Sequence, residues 1–237
     1  MFAALTSAIL WGVLPIYWQA LRPIDSFVII FYRIVLVGVV CFVAALKVYG
    51  RKEMLKPLKH KKTVLIFFLA GVLITTNWSI YIWAVNANLV IQTCIGYYIE
   101  PLMVSAFGII FFKEGLNRSK LIALTLALVG LGMLLFYFGE FPAVALALAV
   151  TFATYAAIKK GVQAPPILAL LYETIFLLPL ALVVIVYLEL TGRGALGVGE
   201  PYQYGLLLLA GIMTAIPLGF FGLAANKIPL VSLGIIE

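Results

Sequence analysis

The chain has 237 residues, of which 65% are hydrophobic and 11% charged, and its formal net charge is +7. Soluble domains carry roughly twice that fraction of charged residues, so the composition excludes a water-soluble globular protein. The positive charge does not indicate nucleic-acid binding, because thirteen of the sixteen Lys and Arg residues lie in linkers that we predict to share one side of a membrane.

Eight complete apolar segments follow one another along the chain, each close to the ~20 residues that a helix needs to cross the hydrocarbon core. A ninth begins at 226–229, and the sequence stops at Glu237. At a rise of ~1.5 Å per residue, that remainder is too short to span a bilayer. We therefore expect a chain truncated after the start of span nine, whose intact form has ten spans. The predicted complete spans are 2–19, 27–48, 63–85, 90–112, 121–138, 141–158, 167–190 and 204–225.

The linkers after the second, fourth, sixth and eighth spans hold the basic residues. They cover 47–62, 113–120, 159–160 and position 227, whereas the loops between them hold only Arg22 and Arg193. Cytoplasmic loops carry an excess of Lys and Arg, so we predict a cytoplasmic N-terminus.

The sequence also contains a weak internal repeat with an offset of 140 residues. The string beginning Ala70-Gly71 returns as Ala210-Gly211, and Tyr32-Arg33 aligns with Tyr172-Glu173. Each copy holds an odd number of spans, so the second copy must be inverted in the membrane. Inverted repeats are typical of secondary transporters. We predict a first five-helix repeat over 1–138 and a second, incomplete repeat over 139–237.

Four charged residues fall inside predicted spans, where each costs a few kcal/mol and usually faces a partner or a cavity. They are Arg33, Glu100, Glu173 and Glu237. Arg33 and Glu173 form a structural ion pair, or anchor their helices at headgroup level, or are charges that stabilise a conformational state. Glu100, next to the helix-interrupting Pro101, is either a protonated carboxyl bonded to a neighbouring helix or a site for proton coupling or substrate charge.

Polar and aromatic side chains concentrate in the third span. Asn77 and Tyr81 are four residues apart and share a helix face, with Trp78 adjacent. An amide, a hydroxyl and an indole together suit an organic solute. The alternative is an interfacial aromatic belt near the helix end, to which Trp78, Tyr81 and Trp83, and Trp11 of the first span, could belong.

Other functional classes have less support. The sequence has no nucleotide-binding motif and no Cys/His metal spacing, so we predict no cofactor and no enzymatic activity. A non-transporting membrane protein, such as a scaffold or an intramembrane enzyme, remains an alternative, as does a passive channel. Four glycines are interpreted as sites of close helix packing: Gly71, Gly108, Gly130 and Gly132.

Several strings resemble the RarD-type permeases of the EamA family, in the drug/metabolite transporter superfamily. The resemblance extends over the whole chain. The strings are WGVLPIYW at 11–18, Tyr32-Arg33, Asn77-Trp78 with YIWAVN at 81–86, GYYIEPL at 96–102, Tyr172-Glu173-Thr174 and Leu233-Gly234.

The resemblance implies a ten-helix bundle of two inverted repeats in the bacterial plasma membrane. It implies export of small organic solutes, and we expect alternating access. Its central cavity implies a substrate-binding set of Trp11, Asn77, Trp78, Tyr81, Gly96, Tyr97 and Glu100.

Overall fold

The computed structural model describes residues 1–139, 141–162 and 164–237, apart from the side chain of Asn86. Within these residues the secondary structure is helical and contains no β-strand. The predicted turn at 139–140 includes Glu140, which lies outside the described residues. The helices are α1 (Phe2–Gln19), α2 (Ser26–Val48), α3 (Gly50–Leu55), α4 (Lys61–Asn86), α5 (Val90–Phe112), α6 (Arg118–Phe138), α7 (Ala143–Val162), α8 (Pro166–Ile175), α9 (Leu178–Leu190), α10 (Ala195–Val198), α11 (Pro201–Lys227) and α12 (Leu230–Ile236).

Eight of the described helical segments are long and apolar enough to cross a membrane. Seven are the single helices α1, α2, α4, α5, α6, α7 and α11, and the eighth, Leu178–Val198, runs through α9 and α10. Seven of them coincide with predicted spans to within a few residues at each end, because the length of an uncharged apolar run sets where a transmembrane helix can lie. The prediction of an all-helical membrane protein is confirmed.

The predicted seventh span is wrong as a single helix. The structure divides it into α8 and α9, with a turn in which the Leu177 amide donates to the Thr174 carbonyl over 3.0 Å. Pro179 is the second residue of α9. Proline has no amide hydrogen, and its ring crowds the carbonyl four residues earlier, so it favours the start of a new helix.

Pro101 does not break its helix. We expected it to interrupt the fourth span, but α5 continues through it from Val90 to Phe112. A membrane helix tolerates an internal proline where neighbouring helices compensate for the lost hydrogen bond.

The chain forms two compact units. The first unit comprises Met1–Leu5, Leu73–Gln163 and Ala224–Glu237, and the second comprises Thr6–Val72 and Ala164–Leu223. Each unit draws on both predicted sequence repeats, so the repeat boundary at 138/139 stays a prediction. In the first unit α5 packs on α6, α7 and α12, and in the second α2 packs on α8 and α9.

Two repeat-equivalent glycines mark close helix crossings in the second unit. A Cβ atom on Gly71 would overlap the carbonyl oxygen of Glu173, and one on Gly211 would lie 2.6 Å from the backbone of Leu36. Glycine permits such crossings because it presents no side chain. Close packing is thus confirmed at Gly71, and Gly108 behaves similarly in the first unit. At Gly130 and Gly132 the described chain places nothing within 4 Å of an added Cβ atom.

Candidate substrate site

Asn77 joins two helices of the first unit. Its side-chain nitrogen donates to the carbonyl oxygen of Leu148 over 2.8 Å and to the hydroxyl oxygen of Thr151 over 2.9 Å. Asn77 is 8% exposed, so these bonds form away from solvent. The amide hydrogens of Asn77 therefore point at α7, and α7 fixes the orientation of the side chain.

One turn further along α4, Tyr81 contacts an aromatic ring of α5. The rings of Tyr81 and Tyr97 have centroids 5.8 Å apart, and their planes are tilted by 60° to one another. Tyr81 is 36% exposed and Tyr97 56% exposed. Trp78 is half-buried, whereas Trp83 is exposed, as expected for a residue of an interfacial belt. Tyr81 and Tyr97 thus form an accessible aromatic surface on the first unit.

A pair of carboxyl groups occupies the contact between α5 and α12. Glu100 is buried and interacts electrostatically with the Glu237 side chain. In the part of the chain that the structure describes, both side-chain oxygens of Glu237 are buried without a hydrogen-bond partner. We call Glu100 and Glu237 the carboxyl pair. Two neighbouring carboxyl groups in a low-dielectric site favour holding a proton or a cation.

Close approach of α12 to α5 brings this pair together. A Cβ atom on Gly234 would overlap the carbonyl oxygen of Pro101, so only glycine fits at this position. Ser105 donates from its hydroxyl to the carbonyl oxygen of Val231 over 3.4 Å.

Gly96 serves the packing of α5 on α7. A Cβ atom there would lie 3.3 Å from backbone atoms of Ala145, and Gly96 itself is buried. Its place in the predicted substrate-binding set stays a prediction.

The second unit holds the remaining predicted residues. Trp11 packs against Phe221 with ring centroids 5.4 Å apart. Arg33 donates from Nε to the hydroxyl oxygen of Thr214 over 3.1 Å, and its guanidinium carbon lies 4.6 Å from the centroid of the Trp18 ring. The hydroxyl group and the aromatic face stabilise the positive charge of Arg33 without full hydration. Glu173 is 2% exposed.

The predicted residues thus divide between the units. Trp11, Arg33 and Glu173 belong to the second unit. The others belong to the first: Asn77, Trp78, Tyr81, Gly96, Tyr97, Glu100 and Glu237.

The acidic residue Glu114 was not among the predicted site residues. Glu114 lies in the linker after α5 among basic residues, and the structure buries its carboxylate against the start of α12. An acidic residue within a basic linker is the signal that could have drawn attention to it.

The described chain is made of helices, and eight of its helical segments are able to span a membrane, which defines a polytopic membrane protein. Charged groups buried among such helices are typical of transporters. The chain belongs to the EamA-like transporter family, whose sequence profile matches residues 1–136.

Curated relatives are similar in sequence over nearly the whole chain. The Bacillus subtilis protein named "Uncharacterized transporter YojE" is 38% identical over 98% of this chain and 78% of its own length. Protein RarD of Streptomyces exfoliatus is 35% identical over 96% of this chain and 72% of its own. Protein RarD of Escherichia coli is 30% identical over 99% and 79%. The predicted RarD-type identity is confirmed, and the chain is a membrane transporter.

A solved crystal structure matches the fold with a TM-score of 0.72 at 16% sequence identity, over 99% of this chain and 82% of that chain. This likeness concerns the fold alone. The ten-span length and the truncation stay predictions.

Proposed function

We propose that this transporter exports small organic solutes from the bacterial cytoplasm by alternating access, and that proton binding at the carboxyl pair drives the exchange. The protein would lie in the plasma membrane with its N-terminus in the cytoplasm, as the basic linkers indicate.

The observation that carries the proposal is the burial of Glu100 beside Glu237. An ionised carboxyl group buried in a membrane helix is costly, so such a group usually holds a proton, meets a partner or lies on a proton or substrate pathway. The packing of α12 on α5, which brings a second carboxyl group to Glu100, supports a role in proton binding. Glu100 is accordingly the proposed coupling or substrate-recognition group.

The solute would contact the polar and aromatic face of α4. Asn77 would offer its amide oxygen, because its amide hydrogens are directed at α7. Tyr81 and Tyr97 would supply ring faces for stacking, with Trp78 beside them. Arg33 and Glu173 would act in the second unit as charges that stabilise one conformational state.

Counterflow in proteoliposomes tests the proposal. Radiolabelled chloramphenicol, the drug named in one Pseudomonas aeruginosa relative, is the first probe, followed by a panel of amino acids and nucleosides. Uptake stimulated by the same unlabelled solute inside the vesicles identifies a carrier, since a pore shows no such exchange.

The variant Glu100→Gln should abolish the dependence of exchange on pH. Glu53→Gln makes the same chemical change at an exposed carboxylate that pairs with Lys56, and it should leave exchange unaltered. Unchanged pH-dependent exchange in Glu100→Gln would exclude the coupling role. Uptake no greater than in protein-free vesicles for every solute would contradict the carrier function.

A further inference from the structure

The carboxylate of Glu114 caps the first turn of α12. One oxygen accepts the backbone N–H of Leu230 over 2.8 Å, and the other accepts that of Val231 over 2.9 Å. Backbone donors at a helix start have no partner within the helix, and an acidic group placed there binds them strongly. Glu114 thereby ties the linker after α5 to α12.

Lys160, at the end of α7, completes the contact. Its ammonium nitrogen lies 3.8 Å from Glu114 and donates to the carbonyl oxygen of Ile228 over 2.5 Å. The side chains of Lys160 and Glu114 are 15% and 10% exposed, so the ion pair is largely withdrawn from water. A desolvated pair with additional hydrogen bonds holds its geometry far better than a pair at the surface. We call Glu114 and Lys160 the clamp.

Two backbone features next to the clamp allow this contact. Lys113 ends α5 in the left-handed region, with φ +52°, where glycine is the usual residue. This conformation turns the chain so that the next residue faces α12. Gly108 provides the space, because a Cβ atom there would lie 2.8 Å from a Glu114 oxygen and 3.0 Å from Val231.

The clamp lies at the first turn of α12, and Glu237 of the carboxyl pair follows Ile236, the last described residue of this helix. Between them Gly234 rests on the backbone of α5 at Pro101. A helix held at its first turn and along one face has little freedom to slide. The position of its last turn therefore depends on the contact at its first.

We propose that Glu114 is a positioning residue: together with Lys160, it fixes the register of α12 on α5 and thereby the separation of the carboxyl pair. The inference rests on the proposed function only in taking that pair as the coupling site. The register itself is independent of any solute.

Two measurements on the purified full chain test this proposal without transport. Hydrogen–deuterium exchange of the backbone amides at 230–236 reports whether α12 stays capped. The rate at which a hydrophobic carbodiimide labels Glu100, followed by mass spectrometry, reports the surroundings of the carboxyl pair. Glu237→Gln supplies the reference change in that rate.

Glu114→Gln should raise amide exchange in α12 about tenfold. It should also change the labelling rate of Glu100 in the same direction as Glu237→Gln, by about threefold or more. If Glu114 acts through Glu237, the double variant should match Glu237→Gln alone. Glu189→Gln is the matched control, since Glu189 caps the start of α10 in the second unit.

Faster exchange in α12 with the labelling of Glu100 unchanged would overturn the proposal, because Glu114 would then be only a local cap. Additive effects in the double variant would overturn it as well. If Glu114→Gln fails to fold, Gly108→Ala disturbs the same contact while keeping both charges, and the same two rates decide. Failure of the proposed function gives a different result. Glu100→Gln would then leave pH-dependent transport unchanged, while Glu114→Gln would still change the exchange rate of α12 and the labelling rate of Glu100.

Discussion

The side-chain nitrogen of Asn77 lies 2.8 Å from the carbonyl oxygen of Leu148, and the hydrogen bond between them joins α4 to α7. Inside a bilayer the hydrophobic effect does not hold helices together, because lipid tails are as apolar as the side chains they would replace. Packing and buried hydrogen bonds carry the association instead. The buried contacts of polar residues therefore predict measurable effects on stability.

Asn77→Ala should lower the free energy of unfolding by about 1–2 kcal/mol, because the carbonyl oxygen of Leu148 loses its interhelical donor. Unfolding in mixed detergent micelles, followed by circular dichroism, measures the change. Ser79→Ala is the control, since within the described residues the Ser79 hydroxyl donates inside its own helix, to the Thr75 carbonyl. Equal losses in the two variants would contradict an interhelical role for Asn77.

Gly71→Ala should destabilise the protein by about 2 kcal/mol or more, because the added methyl group meets the backbone carbonyl of Glu173 and the helices must separate. Gly130→Ala should be neutral or slightly stabilising, since alanine has the higher helix propensity and the described chain leaves space there. Thermal denaturation of the two variants in the same detergent gives the comparison. A similar melting temperature for both would show that the crossing at Gly71 can adjust.

Arg33 and Trp18 should show a coupling energy of about 0.5–2 kcal/mol, since the guanidinium carbon lies 4.6 Å from the indole centroid. A double-mutant cycle with Arg33→Gln and Trp18→Leu isolates this energy from other contacts. Trp18→Phe, which keeps an aromatic face, should retain part of it. Additivity of the two substitutions would exclude the cation–π contact.

Glu100→Gln should raise the free energy of unfolding by about 1 kcal/mol or more. The substitution keeps the shape of the side chain but removes a desolvated carboxyl group that lies beside another. Chemical unfolding at neutral pH measures the difference, with Glu53→Gln as the exposed control. A loss of stability on Glu100→Gln would instead favour a structural hydrogen bond made by Glu100.

Helix positions were largely readable from the sequence, since each uncharged apolar run is about as long as the bilayer is thick. Pro179 was read as an interruption of the seventh predicted span, as Pro101 was of the fourth, but residue order could not tell which of the two would divide its helix. Whether a proline bends, breaks or leaves intact a membrane helix depends on what its neighbours offer, and Pro101 shows the opposite outcome in α5.

The charged residues inside the spans were likewise apparent in the sequence, because a charge within an apolar run is visible wherever it occurs. Their partners were not. Thr214 is 181 residues from Arg33 along the chain, and Glu114 binds backbone atoms 116 residues away, which carry no sequence signal at all. Hydropathy depends on one segment at a time, whereas a hydrogen bond or a helix crossing depends on two segments brought to within a few ångströms. That is why the spans and the family followed from residue order, and the clamp, the glycine crossings and the surroundings of the carboxyl pair emerged only once the helices were packed.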